Sequence, residues 1–324
     1  MGAPRRELAL PPPVAEFLHQ LSTLRRSSPH TQAAYARDLS LLATLSAAEG
    51  VALAEVAAAH VRRYAARLHG QGLAPASIAR VLSAWRSFYR WWVARGGCTA
   101  NPVIGVRAPR RPARLPKALA PDEAVRLAAF EGGDGPLALR DRAIVELLYS
   151  SGLRLSELVS LDWRFFPAEG RLPRSKSWID LAAAECTVTG KGIKQRTVPI
   201  GAPAVQALRA YLAVRPRLAG ATGDERALFL SARGRRISAR SVQVRVARLA
   251  QRLGLPVAVH PHMLRHSMAS HVLQSSGDLR AVQELLGHAS IAATQVYTRL
   301  DWQHLARAYD AAHPRARRRG QSTR

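Results

Sequence analysis

Cysteine is nearly absent from these 324 residues, with Cys98 and Cys186 the only two. Two thiols cannot build a disulfide framework or a cysteine-rich zinc site, and they fit a reducing cytoplasm. Long apolar runs are missing too. No uncharged stretch approaches the roughly 18 residues of a membrane span, and the start MGAPRRELALPPPV holds no apolar core with a cleavage site. The expectation is a soluble, unexported protein with no membrane insertion. Myristoylation wants Ser or Thr at the sixth position, where this chain has Arg6. Acidic residues are scarce: 22 against 48 Lys and Arg, a formal net charge of +26. Lysine is scarce in turn, with Lys117, Lys176, Lys191 and Lys194 the full set.

Such a cationic chain seeks a polyanion. Charge alone leaves an acidic substrate, a membrane surface and nucleic acid open, but the excess is not confined to a tail. Through Arg110 there are 14 basic and 5 acidic residues, and after it 34 and 17, so both halves carry it. The length predicts two domains, and 48% apolar composition lets each bury a core.

Residues 12–95 read as helices without a strand signal. Apolar residues recur at helical spacing in VAEFLHQL, Ser27-Ser28-Pro29 opens HTQAAYARDLSLLATL, a third helix spans Leu53 to Leu68, and Pro75 opens IARVLSAWRSFYRWWVAR ahead of Gly96-Gly97. This predicts a four-helix first domain over 1–100. The aromatics Trp85, Phe88, Tyr89, Trp91 and Trp92 read as core at helical spacing rather than as a base-stacking platform. Pro102, Pro109, Pro112 and Pro116 make 101–117 an extended basic linker. A second domain over 118–312 reads as mostly helical with a small antiparallel sheet, in which ECTVT and RTVPI flank the turn GKGIKQ. The tail 313–324 is basic and expected to be disordered.

Several residues could do chemistry. In His262-Met263-Leu264-Arg265-His266, positions three and four apart share a helix face, so His262, Arg265 and His266 can project together. His at i and i+4 is also zinc-ligand spacing, but Met263 stands where a metalloprotease needs Glu, and no nearby carboxylate or Cys completes a site. A solvated basic face is the plain alternative. SGLRLSEL places Arg154 after a glycine turn and before a short helix capped by Ser156, which would fix it in a cleft. GKGIKQ keeps Lys191 between two glycines in a chain that otherwise uses arginine, a hint that a compact, titratable ammonium matters. LLGHASIAATQVYTRL sets His288 beyond a glycine stop and Tyr297 on the next short helix.

Taken together, Arg154, Lys191, His262, Arg265, His288 and Tyr297 resemble, in type and in order, the Arg-Lys-His-Arg-His-Tyr set of the tyrosine recombinases, the phage integrase family. The segments SGLRLSELVSLDW, VTGKGIKQRTVPIG and PHMLRHSMASHVLQSSGDLRAVQELLGHASIAATQVYT are similar in particular to its XerC subgroup. The likeness covers almost the whole chain. It implies a SAM-like, core-binding first domain and a catalytic domain of the DNA breaking-rejoining fold. Between Asp162 and Val188, WRFFPAEGRLPRSKSWIDLAAAECT is longer than the connection such enzymes usually have, which puts the geometry of the lysine hairpin in question.

The resemblance implies Tyr297 as the nucleophile, forming a 3′-phosphotyrosyl intermediate. A phenol with a free pKa of about 10 needs a base or a strong positive field. Arg154 and Arg265 would supply that field and neutralise the phosphate. His262 would carry the tyrosine proton, His288 would hydrogen-bond the phosphate, and Lys191 would protonate the leaving 5′ oxygen. No ATP or metal is needed, because one phosphodiester is exchanged for another, and no cofactor is expected. Glu157 reads either as a buttress for one arginine or as a solvated helix residue. Residues 302–312 (WQHLARAYDAA) would dock on a neighbouring protomer or fold back on their own domain. The implied partners are double-stranded DNA carrying a dif-type site, a XerD-like paralogue in a heterotetramer, and a septal DNA translocase. A phage or mobile-element integrase is the nearest alternative, and a non-catalytic architectural DNA-binding protein is the alternative from another class.

Overall fold

The computed structural model describes residues 10–23, 29–109, 118–130, 132–190, 195–220, 223–255 and 259–276, together with 278, 282 and 285. Lys191, His288, Tyr297, residues 302–312 and the tail 313–324 lie outside the described residues. The chain divides into two compact units, Met1–Arg114 and Leu115–Arg324.

The first unit holds α1 (Pro12–Thr23), α2 (Pro29–Ala48), α3 (Ala58–Gly70) and α4 (Pro75–Val93). In α4, Pro75 at the first turn has no intrahelical N–H to lose, and Ile78, Val81, Leu82, Trp85, Phe88 and Tyr89 fall on one buried face. On this face Trp85 Nε1 donates to the Asp38 carbonyl at 2.7 Å, and the Tyr89 hydroxyl donates to the Leu53 carbonyl at 2.9 Å. Trp85, Phe88 and Tyr89 are therefore core, with Trp91 and Trp92 half-buried against them.

Two expectations for this unit change. The helix foreseen from Leu53 is a single 3-10 turn, Leu53–Glu55, and α3 begins only at Ala58. Val56 is buried in an extended conformation, and the Ala57 N–H donates to His60 Nδ1 at 2.9 Å, which sets a new helix start. Nor do residues 101–109 form an extended spacer. Pro102, Val103 and Val106 are buried on the first unit, Asn101 Nδ2 donates to the Arg86 carbonyl at 3.0 Å, and Arg86 donates to the carbonyls of Val103 and Val106. Apolar side chains between the prolines outweigh the proline bias toward extension. Residues 110–117 of the foreseen linker lie outside the described residues.

The second unit is built around α6 (Pro136–Ser151), where every described residue from Arg140 to Ser151 except Arg142 is buried. A helix apolar on so many sides must be enclosed. It packs against α5 (Pro121–Ala128), α8 (Ala202–Val214), α10 (Ala239–Arg252) and α11 (Pro261–Ser276). The short helices α7 (Leu155–Ser160) and α9 (Pro216–Ala219) complete the described helices. Strands β1 (Trp178–Asp180), β2 (Glu185–Thr189) and β3 (Gln195–Pro199) form an antiparallel sheet in that order. Two strands were foreseen; β1 is the third, too short to carry an alternation signal. Thr189 pairs with Gln195 and Val188 with Arg196, so the segment after Asp162 leaves the hairpin strands in regular register.

Trp85→Ala should lower the stability of the first unit by about 3–5 kcal/mol, through a large cavity and a lost hydrogen bond to the Asp38 carbonyl. Urea unfolding followed by circular dichroism measures it, and a loss under about 1 kcal/mol would show that Trp85 is not the keystone of that core.

Candidate active site

The site starts at the end of α6. Gly152 takes the left-handed conformation (φ 56°), the usual way to close a helix, and turns the chain into Leu153-Arg154. Its carbonyl accepts a hydrogen bond from the Arg265 guanidinium, which reaches over from α11. Arg154, not Ser156, is the residue at the N-cap of α7. The cap is made by Glu157 reaching back: its Oε2 accepts the Arg154 N–H at 2.8 Å and its Oε1 accepts Arg154 NH1 at 2.9 Å. The side chain of Arg154 stays 42% exposed.

Glu157 does more than cap. Arg196 on β3 forks onto it, NH1 to Oε1 at 2.7 Å and NH2 to Oε2 at 2.8 Å, a bidentate arginine–carboxylate pair. The carboxylate is only 3% exposed. Burial pushes its pKa up, but the hydrogen bonds and charge of Arg196 and the bonds from Arg154 outweigh burial, so it titrates below the ordinary carboxylate range. Of the two readings left open by the sequence, the buttress is the one seen, and it supports two arginines.

Arg265 is buried. Burial, then the neighbouring charges of Arg154 and Arg196, bring its pKa down to about 10 against the pull of Glu157, which leaves the guanidinium charged at neutral pH. His262 stands exposed one turn before it on α11. His260 stacks on His262 with ring centroids 6.4 Å apart and planes within 9°; burial, then the charge of His262, lowers the His260 pKa. Arg154, His260, His262, Arg265 and Gln243 of α10 line one cleft of about 450 Å³.

Three of the six sequence candidates therefore meet: Arg154, His262 and Arg265 share that cleft. His266 is half-buried and is not among the lining residues. Among the described residues, no group of three or more His, Cys, Asp or Glu side chains is placed to hold a metal. Lys191, His288 and Tyr297 lie outside the described residues, although the strands flanking Lys191 are regular. Sequence reading missed Arg196. Its signal was the strand alternation: Arg196 shares a face with buried Val198, and a cation pointing inward demands a carboxylate.

Glu157→Ala should destabilise the second unit by about 3–5 kcal/mol, because it leaves like charges crowded without their counter-ion. A carboxyl held below its ordinary value of 4.5 contributes stability that is complete above that value and is lost as pH falls toward the folded-state pKa. Glu157→Gln should therefore flatten part of the acid limb of stability. Denaturation midpoints between about pH 6 and 3 test this, and parallel acid limbs for both proteins would contradict it.

The model of the phage integrase family matches residues 117–304, and that of the phage integrase N-terminal SAM-like domain matches 14–96. The chain is 56% identical over 314 residues to tyrosine recombinase XerC 1 of Ralstonia nicotianae (strain ATCC BAA-1114 / GMI1000), covering 95% of each chain. It is 49% identical over 317 residues to tyrosine recombinase XerC of Xanthomonas axonopodis pv. citri (strain 306), covering 94% of this chain and 98% of the relative. The Tn1549 transposon integrase in complex with transposon right end DNA is a structural neighbour with a TM-score of 0.65 at 18% identity, covering 91% of this chain and 99% of that one. A lambda integrase dimer bound to a COC′ core site gives a TM-score of 0.61 at 18% identity, covering 88% and 98%. These two likenesses bear on fold alone: mainly helical, with a small antiparallel sheet. A match to the family model over more than half of the chain, and near end-to-end identity of about half to XerC enzymes, place this chain in the phage integrase family, as a tyrosine recombinase of the XerC kind.

Proposed function

We propose that the enzyme exchanges DNA strands through a 3′-phosphotyrosyl intermediate formed by Tyr297, with Arg154, Lys191, His262, Arg265 and His288 as its catalytic partners. The observation that carries this reading is the convergence of the Arg154 and Arg265 guanidiniums with His262 in one cleft, both arginines set by hydrogen bonds. Two guanidiniums that stay charged at working pH suit a phosphate gaining negative charge in the transition state.

The steps balance without a cofactor. The Tyr297 oxygen attacks phosphorus and its proton passes to His262, while the bond to the 5′ oxygen breaks and Lys191 protonates that oxygen. His288 hydrogen-bonds the phosphate. The 5′-hydroxyl of a partner strand then reverses the step, and phosphodiester energy is retained.

The duplex is a dif-type chromosomal site, and the second recombinase is a XerD-like paralogue in a heterotetramer that turns chromosome dimers into monomers before division. The setting is the cytoplasm, and a septal DNA translocase is the activator. Near full-length identity to XerC relatives supports this role over that of a mobile-element integrase, the second reading. Net charge of +26 supports duplex binding that weakens steeply with salt.

A nicked duplex bearing a dif-type site traps the adduct. Wild type should form it and Tyr297→Phe should bind without forming it; an adduct with Tyr297→Phe would remove the nucleophile. Lys191→Ala should cleave poorly yet recover on a substrate whose leaving 5′ oxygen is replaced by sulfur, which needs no acid. Equal defects on both substrates would overturn the acid role.

A further inference from the structure

Between α7 and β1 the chain makes an excursion, 163–177, that the catalytic cleft does not use. It is not a loose insertion. Buried Ser175 donates through Oγ to Asp162 Oδ2 at 2.7 Å and accepts the Phe166 N–H at 2.9 Å, and the other Asp162 oxygen accepts Arg236 NH2 at 2.6 Å. On the outer side, Trp163 Nε1 donates to the Glu225 carbonyl at 2.8 Å, and Arg226 NH1 donates to the Pro173 carbonyl at 2.7 Å. A buried polar clasp at one side and a backbone staple at the other hold a fixed shape.

What that shape presents is positive charge. Arg164, Arg171, Arg174 and Lys176 are all exposed, and Glu169 is the one carboxylate within 163–177. Among the described residues, none of these four cations makes an ion pair. The Arg164 guanidinium lies over the Phe166 ring at 4.6 Å from its centroid, and that of Arg226 lies over the same ring at 5.1 Å. Two cations on one ring, with no acid among the described residues in an ion pair with either, is an arrangement an incoming anion would relieve. The excursion also adjoins β2 and β3, between which Lys191 falls in sequence: the Lys176 carbonyl accepts from Thr189 Oγ1 and from Gln195 Nε2, which pair across those strands.

We propose that the 163–177 excursion is a preformed phosphate-binding surface for the backbone of duplex DNA, outside the catalytic cleft, contacting strand phosphates through Arg164, Arg171, Arg174 and Lys176. It rests on the reading that the enzyme acts on duplex DNA, and adds to it a second place where the duplex is held. Phosphate contacts of this kind add affinity without base preference.

The test uses the full chain with Arg171→Gln, Arg174→Gln and Lys176→Gln combined, and a charge-keeping control, Arg171→Lys with Arg174→Lys. Affinity for a long duplex is measured across a salt series, then on duplexes trimmed stepwise at each end. The triple variant should lose about 2 to 3 from the slope of log affinity against log salt, at about 0.9 per lost contact, and bind about tenfold or more weaker near 100 mM salt whatever the base sequence. The control should keep the wild-type slope. Trimming should cost wild type the same slope and leave the triple variant little changed. Matching circular dichroism and melting curves separate this from misfolding. Wild-type slope and affinity in the triple variant would overturn the proposal; unchanged DNA binding with lost association to a second recombinase would give the surface to a protein instead. If wild type bound no duplex at all, the underlying reading would fail with it.

Discussion

One buried carboxylate organises the candidate active site. Glu157 is enclosed on α7, and its two oxygens take four hydrogen bonds, from the backbone and guanidinium of Arg154 and from both ends of the Arg196 fork. Arginine placed near arginine is unfavourable, and so is an enclosed charge without a partner. A single anion shared between two cations answers both difficulties. It leaves Arg154 partly exposed at the cleft while hydrogen bonds fix it, the preorganisation that the proposed phosphate contact calls for.

The rest of the second unit can be understood from that constraint. Arg265 arrives from α11 and is held by the carbonyl of Gly152, where α6 ends in a left-handed turn. The helix that supplies this turn is also the most enclosed of the described helices, so the arginine pair is anchored on a tightly packed part of the core. Behind the cleft, His271 of α11 bridges the Tyr149 hydroxyl of α6, 2.9 Å from Nδ1, and the Leu119 carbonyl, 3.0 Å from Nε2. That bridge fixes α11 against α6 and so fixes the spacing of Arg265 and Gly152. Strand β3 delivers Arg196 from the other side, and Lys191 falls in sequence between β2 and β3.

Much of this was legible in the residue order. Helical spacing marked α4, α6, α8 and α10 closely because each carries a continuous apolar face ended by glycine or proline. Arg154, His262 and Arg265 could be picked out because each sits at a fixed offset from a turn or helix start. What escaped reading depends on pairings between segments distant in the chain. Arg196 is unremarkable beside other arginines until β3 is laid against α7, some 39 residues away in sequence. Likewise the length of the segment between Asp162 and Val188 put the hairpin's geometry in question, whereas β2 and β3 pair in regular register and Ser175 clasps Asp162. A hydrogen bond between side chains leaves no periodicity to detect. The 3-10 turn at Leu53–Glu55 escaped for a related reason, since its helix-like apolar spacing continues across a break set by one backbone bond to His60.

In the proposed mechanism the guanidiniums of this cleft neutralise a phosphate and do not merely hold the fold. Single-turnover cleavage by Arg154→Ala of DNA whose scissile phosphate is replaced by a neutral methylphosphonate tests it most directly. On ordinary DNA the variant should fall about 100- to 1,000-fold below wild type, and on the neutral linkage most of that gap should close. A gap of equal size on both substrates would mean that Arg154 does not act on phosphate charge.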